Sequence, residues 1–243
     1  MKYTHLYRTC IQKTLSDDQI DIMTAFKTAL RNDPGLEVQL INYYKGMPLS
    51  FNATVAGVGR DELELRVNPR QAVAISDDNY TFIRSKIFKH DIVVKARQVS
   101  IKEKTVSLYH PCYVEIGAER RNHIRLRVHP PIDAEYLTPE GKVRGELIEL
   151  STAGTIMVVD HTVDIDTWGD GRLSFQLPDA DNINTARDIK VPARFITALE
   201  DGSLPRFIFG FTSDKSSEKH IAKFLFNRQI EIMRMLRDGF DIG

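Results

Sequence analysis

Runs in which every second residue is apolar recur along most of this chain, and they constrain its fold more than any other feature. Leu36, Val38 and Leu40 alternate with polar neighbours, as do Leu49, Phe51, Ala53 and Val55, then Leu63, Leu65 and Val67. Successive side chains of a strand point to opposite faces, so a period of two marks a strand with one buried face. Weaker strand signals fall at 72–75 and 80–84, and runs at 92–99 and 106–114 close the region. Gly59-Arg60-Asp61 supplies a turn between two of the runs. The second half repeats the pattern at 126–128, 134–137, 143–150, 155–160, 171–177, 189–199 and 206–212. His129-Pro130-Pro131 falls between the first two of these, and its prolines, lacking an N–H donor, belong at an edge or bulge. Ser151-Thr152-Ala153-Gly154 reads as a tight turn and Asp201-Gly202 as a hairpin turn. Many short strands separated by turns predict a small antiparallel barrel or sandwich in each half.

A helix flanks each set of strands. Ser16-Asp17-Asp18-Gln19 reads as a capping box, with Ser16 as N-cap. Ile22, Met23, Phe26, Ala29 and Leu30 follow at helical spacing, and Asn32-Asp33-Pro34-Gly35 ends the helix. Near the C-terminus, Ser216 or Ser217 caps a last helix that runs to Gly239, with Ile221, Phe224, Leu225, Ile232, Met235 and Leu236 along one side. Glu115-Ile116-Gly117-Ala118-Glu119 joins the two halves, and its glycine can act as a hinge. The expectation is a mainly β chain of two small antiparallel β-barrel domains, residues 1–115 and 116–243, each with a flanking helix.

A chain of 243 residues with 42% hydrophobic and 27% charged content has the composition of an ordinary soluble globular protein of one or two domains. Its formal net charge is zero, so no global field draws it to nucleic acid or an anionic membrane, and any anion site must be local. Cys10 and Cys112 are the only cysteines, too few for a disulfide framework. The N-terminal residues lack the apolar core of a signal peptide, and no run approaches the roughly 20 apolar residues of a membrane span. A cytoplasmic, reduced protein is the expectation.

The local anion site is easy to find. Arg120-Arg121-Asn122-His123-Ile124-Arg125 holds three guanidinium groups, and Glu149-Leu150-Ser151-Thr152-Ala153-Gly154 follows with a carboxylate, a hydroxyl and a glycine at short spacing. Guanidinium groups bind phosphate through paired charge-assisted hydrogen bonds, contact the O6/N7 edge of guanine and stack on flat rings. A carboxylate accepts the N–H donors of guanine. The two segments together suit a ligand carrying both phosphates and guanines.

The pairing resembles the PilZ family, whose members bind cyclic di-GMP through an RxxxR segment and a later [D/N]xSxxG segment. Arg121 and Arg125 match the first, Ser151 and Gly154 the second, and Glu149 stands where the family has Asp or Asn. The resemblance covers about residues 117–238 and includes the order of strands followed by a terminal helix. The N-terminal half resembles, more loosely, the β-barrel that precedes PilZ in the flagellar-brake group. The resemblance implies that Arg121 and Arg125 grip phosphates and guanine edges, and that Arg120 stacks on a second nucleotide. Ser151 donates to a phosphate or guanine atom, or bonds its own turn. Gly154 supplies a positive φ, or room for the ligand, or an ordinary turn. Glu149 has the right chemistry but one methylene too many, and it can instead pair with Arg121 or Arg125.

The leading expectation is a non-enzymatic cyclic di-GMP receptor whose two domains rearrange on binding and signal to a protein effector, in the flagellar-brake group a motor component. No P-loop, nucleophile elbow or zinc motif argues otherwise. A PilZ-fold adaptor that no longer binds nucleotide is the alternative that Glu149 favours. A nucleic-acid-binding barrel is disfavoured by zero net charge and by the lack of aromatics beside the arginines. His123 stacks on a base or is a solvated loop residue, and the remaining histidines show no metal-ligand spacing. The stretch holding Asp160, Asp164, Asp166 and Asp170 lacks the glycine and terminal Glu of a calcium loop, and Trp168 within it is exposed or caps the barrel.

Overall fold

The computed structural model describes residues 6–159, 169–178, 185–199, 204–212 and 215–241. The chain divides into two compact units, one formed by Tyr3–Arg121 with Ile232–Gly243, the other by Asn122–Glu231.

In the first unit the alternating runs become antiparallel strands: β1 (Tyr7–Thr9), β2 (Glu37–Tyr44), β3 (Met47–Val58), β4 (Glu62–Arg66), β5 (Tyr80–Arg84), β6 (Asp91–Ser100) and β7 (Thr105–Ile116). Their order is β1-β7-β4-β3-β2-β5-β6, and β6 pairs with β7 as well. The six strands β2 to β7 therefore form a closed circuit in which none is left as an edge, and β1 adds to β7. Leu40, Leu65, Ile83, Ile92 and Leu108 are fully buried in its core. Helix α1 (Leu15–Asn32) adds Ile22, Met23 and Phe26 to that cluster. Gly59 N–H donates to the Glu62 carbonyl at 2.7 Å, which closes the expected turn between β3 and β4.

Two expectations for this unit are corrected. The N-cap of α1 is Thr14, whose hydroxyl accepts from Asp17 N–H at 3.1 Å; Ser16 already lies in the first turn. Asp18 faces back and accepts from the Gln12 and Lys13 N–H groups at 2.8 and 3.1 Å, so the buried carboxylate holds the preceding loop instead of completing a box. Residues 72–75 are not a strand but the middle of helix α2 (Pro69–Asp78). Asn68 caps it, Pro69 starts it, and Asn79 ends it in the left-handed region at φ 61°. An unbroken apolar run of four cannot distinguish strand from buried helix, whereas Asn followed by Pro is a start signal. Gln71 on α2 donates to Asn42 of β2 at 2.7 Å, and Asn42 donates to the Tyr80 carbonyl at 2.8 Å, tying helix to sheet through buried polar groups.

The second unit is a closed antiparallel barrel of β8 (Leu126–Thr138), β9 (Gly141–Ser151), β10 (Gly154–Val159), β11 (Gly171–Pro178), β12 (Ala186–Leu199) and β13 (Arg206–Phe211), in the order β10-β13-β12-β11-β8-β9. Tyr136, Leu147, Leu173, Val191 and Phe209 fill it. The β8–β9 register shifts between Arg127 and Ile132, so His129-Pro130-Pro131 sits at a bulge as expected. Helix α3 (Lys215–Asp241) follows. Ser216 and Ser217 lie inside its first turn and are not its N-cap, and Gly239 does not stop it, because the helix continues to Asp241. Ile221, Leu225, Ile232 and Leu236 are its buried apolar residues, while Met235 is exposed. Asp160, His161, Asp164, Asp166, Trp168 and Asp201-Gly202 lie outside the described residues. Among the described residues, no helix is long and apolar enough to cross a membrane.

The corrected cap is testable. Thr14→Ala removes a side-chain acceptor from an orphan N–H and is expected to cost about 1 kcal/mol. Ser16→Ala is expected to change stability by less than about 0.5 kcal/mol. Urea unfolding of both variants checks the pair, and the reverse order would restore Ser16 as the cap.

Candidate functional site

The second motif is built by the end of β9, a two-residue turn and the start of β10. Ser151 and Gly154 face each other as the closing pair of that hairpin. The Ser151 hydroxyl, 2% exposed with its residue, donates to the Gly154 carbonyl at 2.9 Å and accepts from Ala153 N–H at 3.3 Å. The turn-forming role of Ser151 is therefore occupied. Gly154 does not take a left-handed φ. A Cβ there would lie 2.3 Å from the Phe209 carbonyl, so what demands glycine is the close approach of β13. Thr155, also buried, donates its hydroxyl to the Glu149 carbonyl at 2.5 Å and fastens the base of the turn.

The arginine segment reaches this hairpin through the β8–β9 ladder. Leu126 pairs with Leu150 and Arg127 with Glu149. Arg125 immediately precedes Leu126, the first paired residue of β8, and Ser151 immediately follows Leu150 on β9. Leu126 and Leu150 are both buried in the barrel, so Arg127 and Glu149 share the outer face of the two strands. Even so, Glu149 is only 7% exposed. Burial pulls the Arg127 guanidinium below its ordinary range, and the Glu149 carboxylate opposes that shift. Arg228 of α3, itself buried, donates from Nε to the Arg127 carbonyl at 3.2 Å and from Nη1 to Glu231 at 2.8 Å. His123 Nδ1 lies 2.9 Å from the Thr152 hydroxyl, a direct hydrogen bond between the arginine segment and the second motif. The unit Asn122–Glu231 thus brings together Arg125, Glu149, Ser151 and Gly154 and adds His123, Thr152 and Arg127.

Arg120 and Arg121 belong to the other unit. They end a short 3-10 turn, Gly117–Arg120, pinned where Ala118 N–H donates to the Leu6 carbonyl at 3.0 Å. Arg120 pairs with Glu115, which also takes Arg8. Arg84 grips Asp91 at 2.7 and 2.9 Å and Glu119 at 2.7 and 3.0 Å, so a single guanidinium braces the turn against β5 and β6. Those bonds, Asp91 first and Glu119 second, hold the Arg84 charge more firmly than usual. Tyr43 nearby is pushed up to about 12 by burial and by the Glu119 charge, with Arg121 and Arg84 acting in the opposite direction.

Sequence reading counts Arg127 only as the end of the Arg120–Arg127 cluster, without its place opposite Glu149, and it misses Arg228 and Arg84. The strand register would have paired Arg127 with Glu149, but it follows from the bulge, which spacing alone does not reveal. Arg84 and Arg228 carry no local signal, because their partners lie on other elements. Among the described residues no group of three or more His, Cys, Asp or Glu is placed to hold a metal ion.

No protein-family model and no curated protein matches the sequence. Solved structures similar to this chain include the Bacillus subtilis inhibitor of motility MotI/DgrA, at 13% identity over 81% of this chain and 97% of that one, with a TM-score of 0.43. YcgR of Escherichia coli in complex with c-di-GMP is similar at 13% identity over 97% of this chain and 98% of that one, with a TM-score of 0.42. The PilZ domain of YcgR from Escherichia coli with c-di-GMP is similar at 18% identity over 50% of this chain and 98% of that one, with a TM-score of 0.36.

Two outcomes follow from the geometry. Gly154→Ala forces a methyl into the Phe209 carbonyl and is expected to cost about 2 kcal/mol or more in chemical denaturation; an unchanged midpoint would remove the close-approach account. In the unfolded chain Tyr43 ionises near the ordinary value of about 10, before it does in the folded chain. Stability that is present below pH 10 is therefore expected to fall as the pH rises from about 10 to about 12. Tyr43→Phe should flatten part of that slope but not all, since burial raises Tyr80 in the same direction.

Proposed function

We propose that this chain is a non-enzymatic receptor for cyclic di-GMP, with Arg121 and Arg125 as its principal ligands and Arg120, Glu149, Ser151 and Gly154 completing the set. The observation that carries this reading is the hydrogen bond between His123 and Thr152 together with the register that pairs Leu126, next to Arg125, with Leu150, next to Ser151. Two segments separated by some twenty-five residues are thereby tied, one carrying guanidinium groups and the other a hydroxyl-bearing tight turn, a chemistry that suits a phosphate flanked by guanines. Residues 1–115 and 116–243 are the two domains of this reading, and ligand acts at the arginine segment Arg120–Arg125. Binding shifts the population of domain arrangements, and a protein effector of motility or surface behaviour reads the change in the cytoplasm.

A second reading, an adaptor of the same fold that binds no nucleotide, draws on two observations. Glu149 is nearly buried, and the Ser151 hydroxyl already serves its own turn.

Calorimetric titration of cyclic di-GMP into the wild type and into Arg121→Ala/Arg125→Ala separates the two. The receptor reading expects saturable heat that vanishes in the double variant while its melting temperature holds. Absence of heat in the wild type, repeated by equilibrium dialysis, leaves the adaptor. Glu149→Asp then reports whether one methylene is responsible.

A further inference from the structure

Arg127 lies outside the two motifs, yet it stands directly across the ladder from Glu149. Both are on the outer face, where directly opposed Cβ atoms lie about 4.5–5.5 Å apart, a gap that the lengths of Glu and Arg span. Glu149 as a residue is only 7% exposed, and a carboxylate drawn that far from solvent is held by a charged partner or is costly. Reading guanine through a carboxylate requires its oxygens to be open to the N2–H₂ donor, which adenine lacks.

We propose that Arg127 engages the Glu149 carboxylate across the β8–β9 ladder, so that the site binds cyclic purine dinucleotides without using position 149 to tell guanine from adenine. The inference rests on the receptor reading above and specifies its ligand class. Arg127 is a positioning residue here, acting on the ligand through Glu149. The arginines of the first motif still attract phosphate whichever base is present. The guanidinium also accounts for a carboxylate of Glu length at this place: the additional methylene carries it toward Arg127 and away from the direction an Asp would take.

The test is a cycle of base discrimination. Cyclic di-GMP and cyclic di-AMP are titrated by calorimetry into the full-length wild type, Glu149→Gln, Arg127→Met and the double variant, and the ratio of the two dissociation constants is read. That ratio cancels the general attraction for phosphate and is not moved by a merely structural role. Glu149→Gln is expected to change the ratio less than about threefold in the wild-type background, because the carboxylate is committed to Arg127. Arg127→Met is expected to raise the preference for guanine about tenfold, and the double variant to lose that gain.

A ratio that collapses on Glu149→Gln alone overturns the inference, and so does a ratio that Arg127→Met leaves unchanged. Should Arg127→Met fail to fold because it strands a buried charge, the Glu149→Gln arm decides by itself. Melting temperatures of the four proteins test the pair without ligand: non-additive shifts support it and additive shifts overturn it. If no variant binds either nucleotide, the receptor reading fails and the ligand class falls with it, whereas non-additive melting would still establish the ion pair.

Discussion

The register between β8 and β9 is the constraint on which the second unit depends. Leu126 and Leu150 face inward together, and Arg127 and Glu149 therefore face outward together. A slip of either strand by one residue would turn its leucine outward and its charged residue into the barrel. Burying an ion without its partners costs several kcal/mol, so the hydrophobic pairing fixes the chemistry. The bulge at His129-Pro130-Pro131 absorbs the mismatch with the remainder of β8, and Arg228 secures the Arg127 carbonyl at its start. The position of the candidate ligands is thus a by-product of packing the barrel.

In the first unit an electrostatic brace has the comparable role. Arg84 joins Asp91, close to it on the paired strand, to Glu119, which is remote in sequence, and so fixes the turn from which Arg120 and Arg121 emerge. Exposed ion pairs contribute little to stability, about 0–1 kcal/mol each. A planar fork holding two carboxylates supplies direction more than energy. Tyr43, whose proton is held by burial and by Glu119, belongs to the same cluster and gives it an optical handle.

Much of the fold was legible in the sequence because alternation is a property of each strand alone. The runs beginning at Leu36, Leu49, Leu63 and Val143 became strands as read, and the turns at Gly59 and Ser151 fell where expected. Residues 72–75 misled because a short unbroken apolar run satisfies a buried helix as well as a strand. The caps misled because Ser16 and Thr14 are both acceptable acceptors, and the choice between them was made by Asp18 turning back to Gln12 and Lys13. For the site, spacing supplied the two motifs but not their relation. The partnership of Glu149 with the strand opposite, and the tie between His123 and Thr152, depend on which residues the ladder aligns. Composition and spacing carry no information about that alignment.

Gly154 makes the same distinction in another way. Its missing side chain is required by the carbonyl of Phe209, a barrel strand, and Ser151 is required by its own hairpin. Selection for a folded barrel alone would hold the serine and the glycine in place through any amount of sequence drift. The same selection would leave Arg125 free to change. In a lineage that had given up its ligand, the second motif would therefore outlast the first. The arginines, and not the serine and glycine, are the residues whose presence speaks to binding.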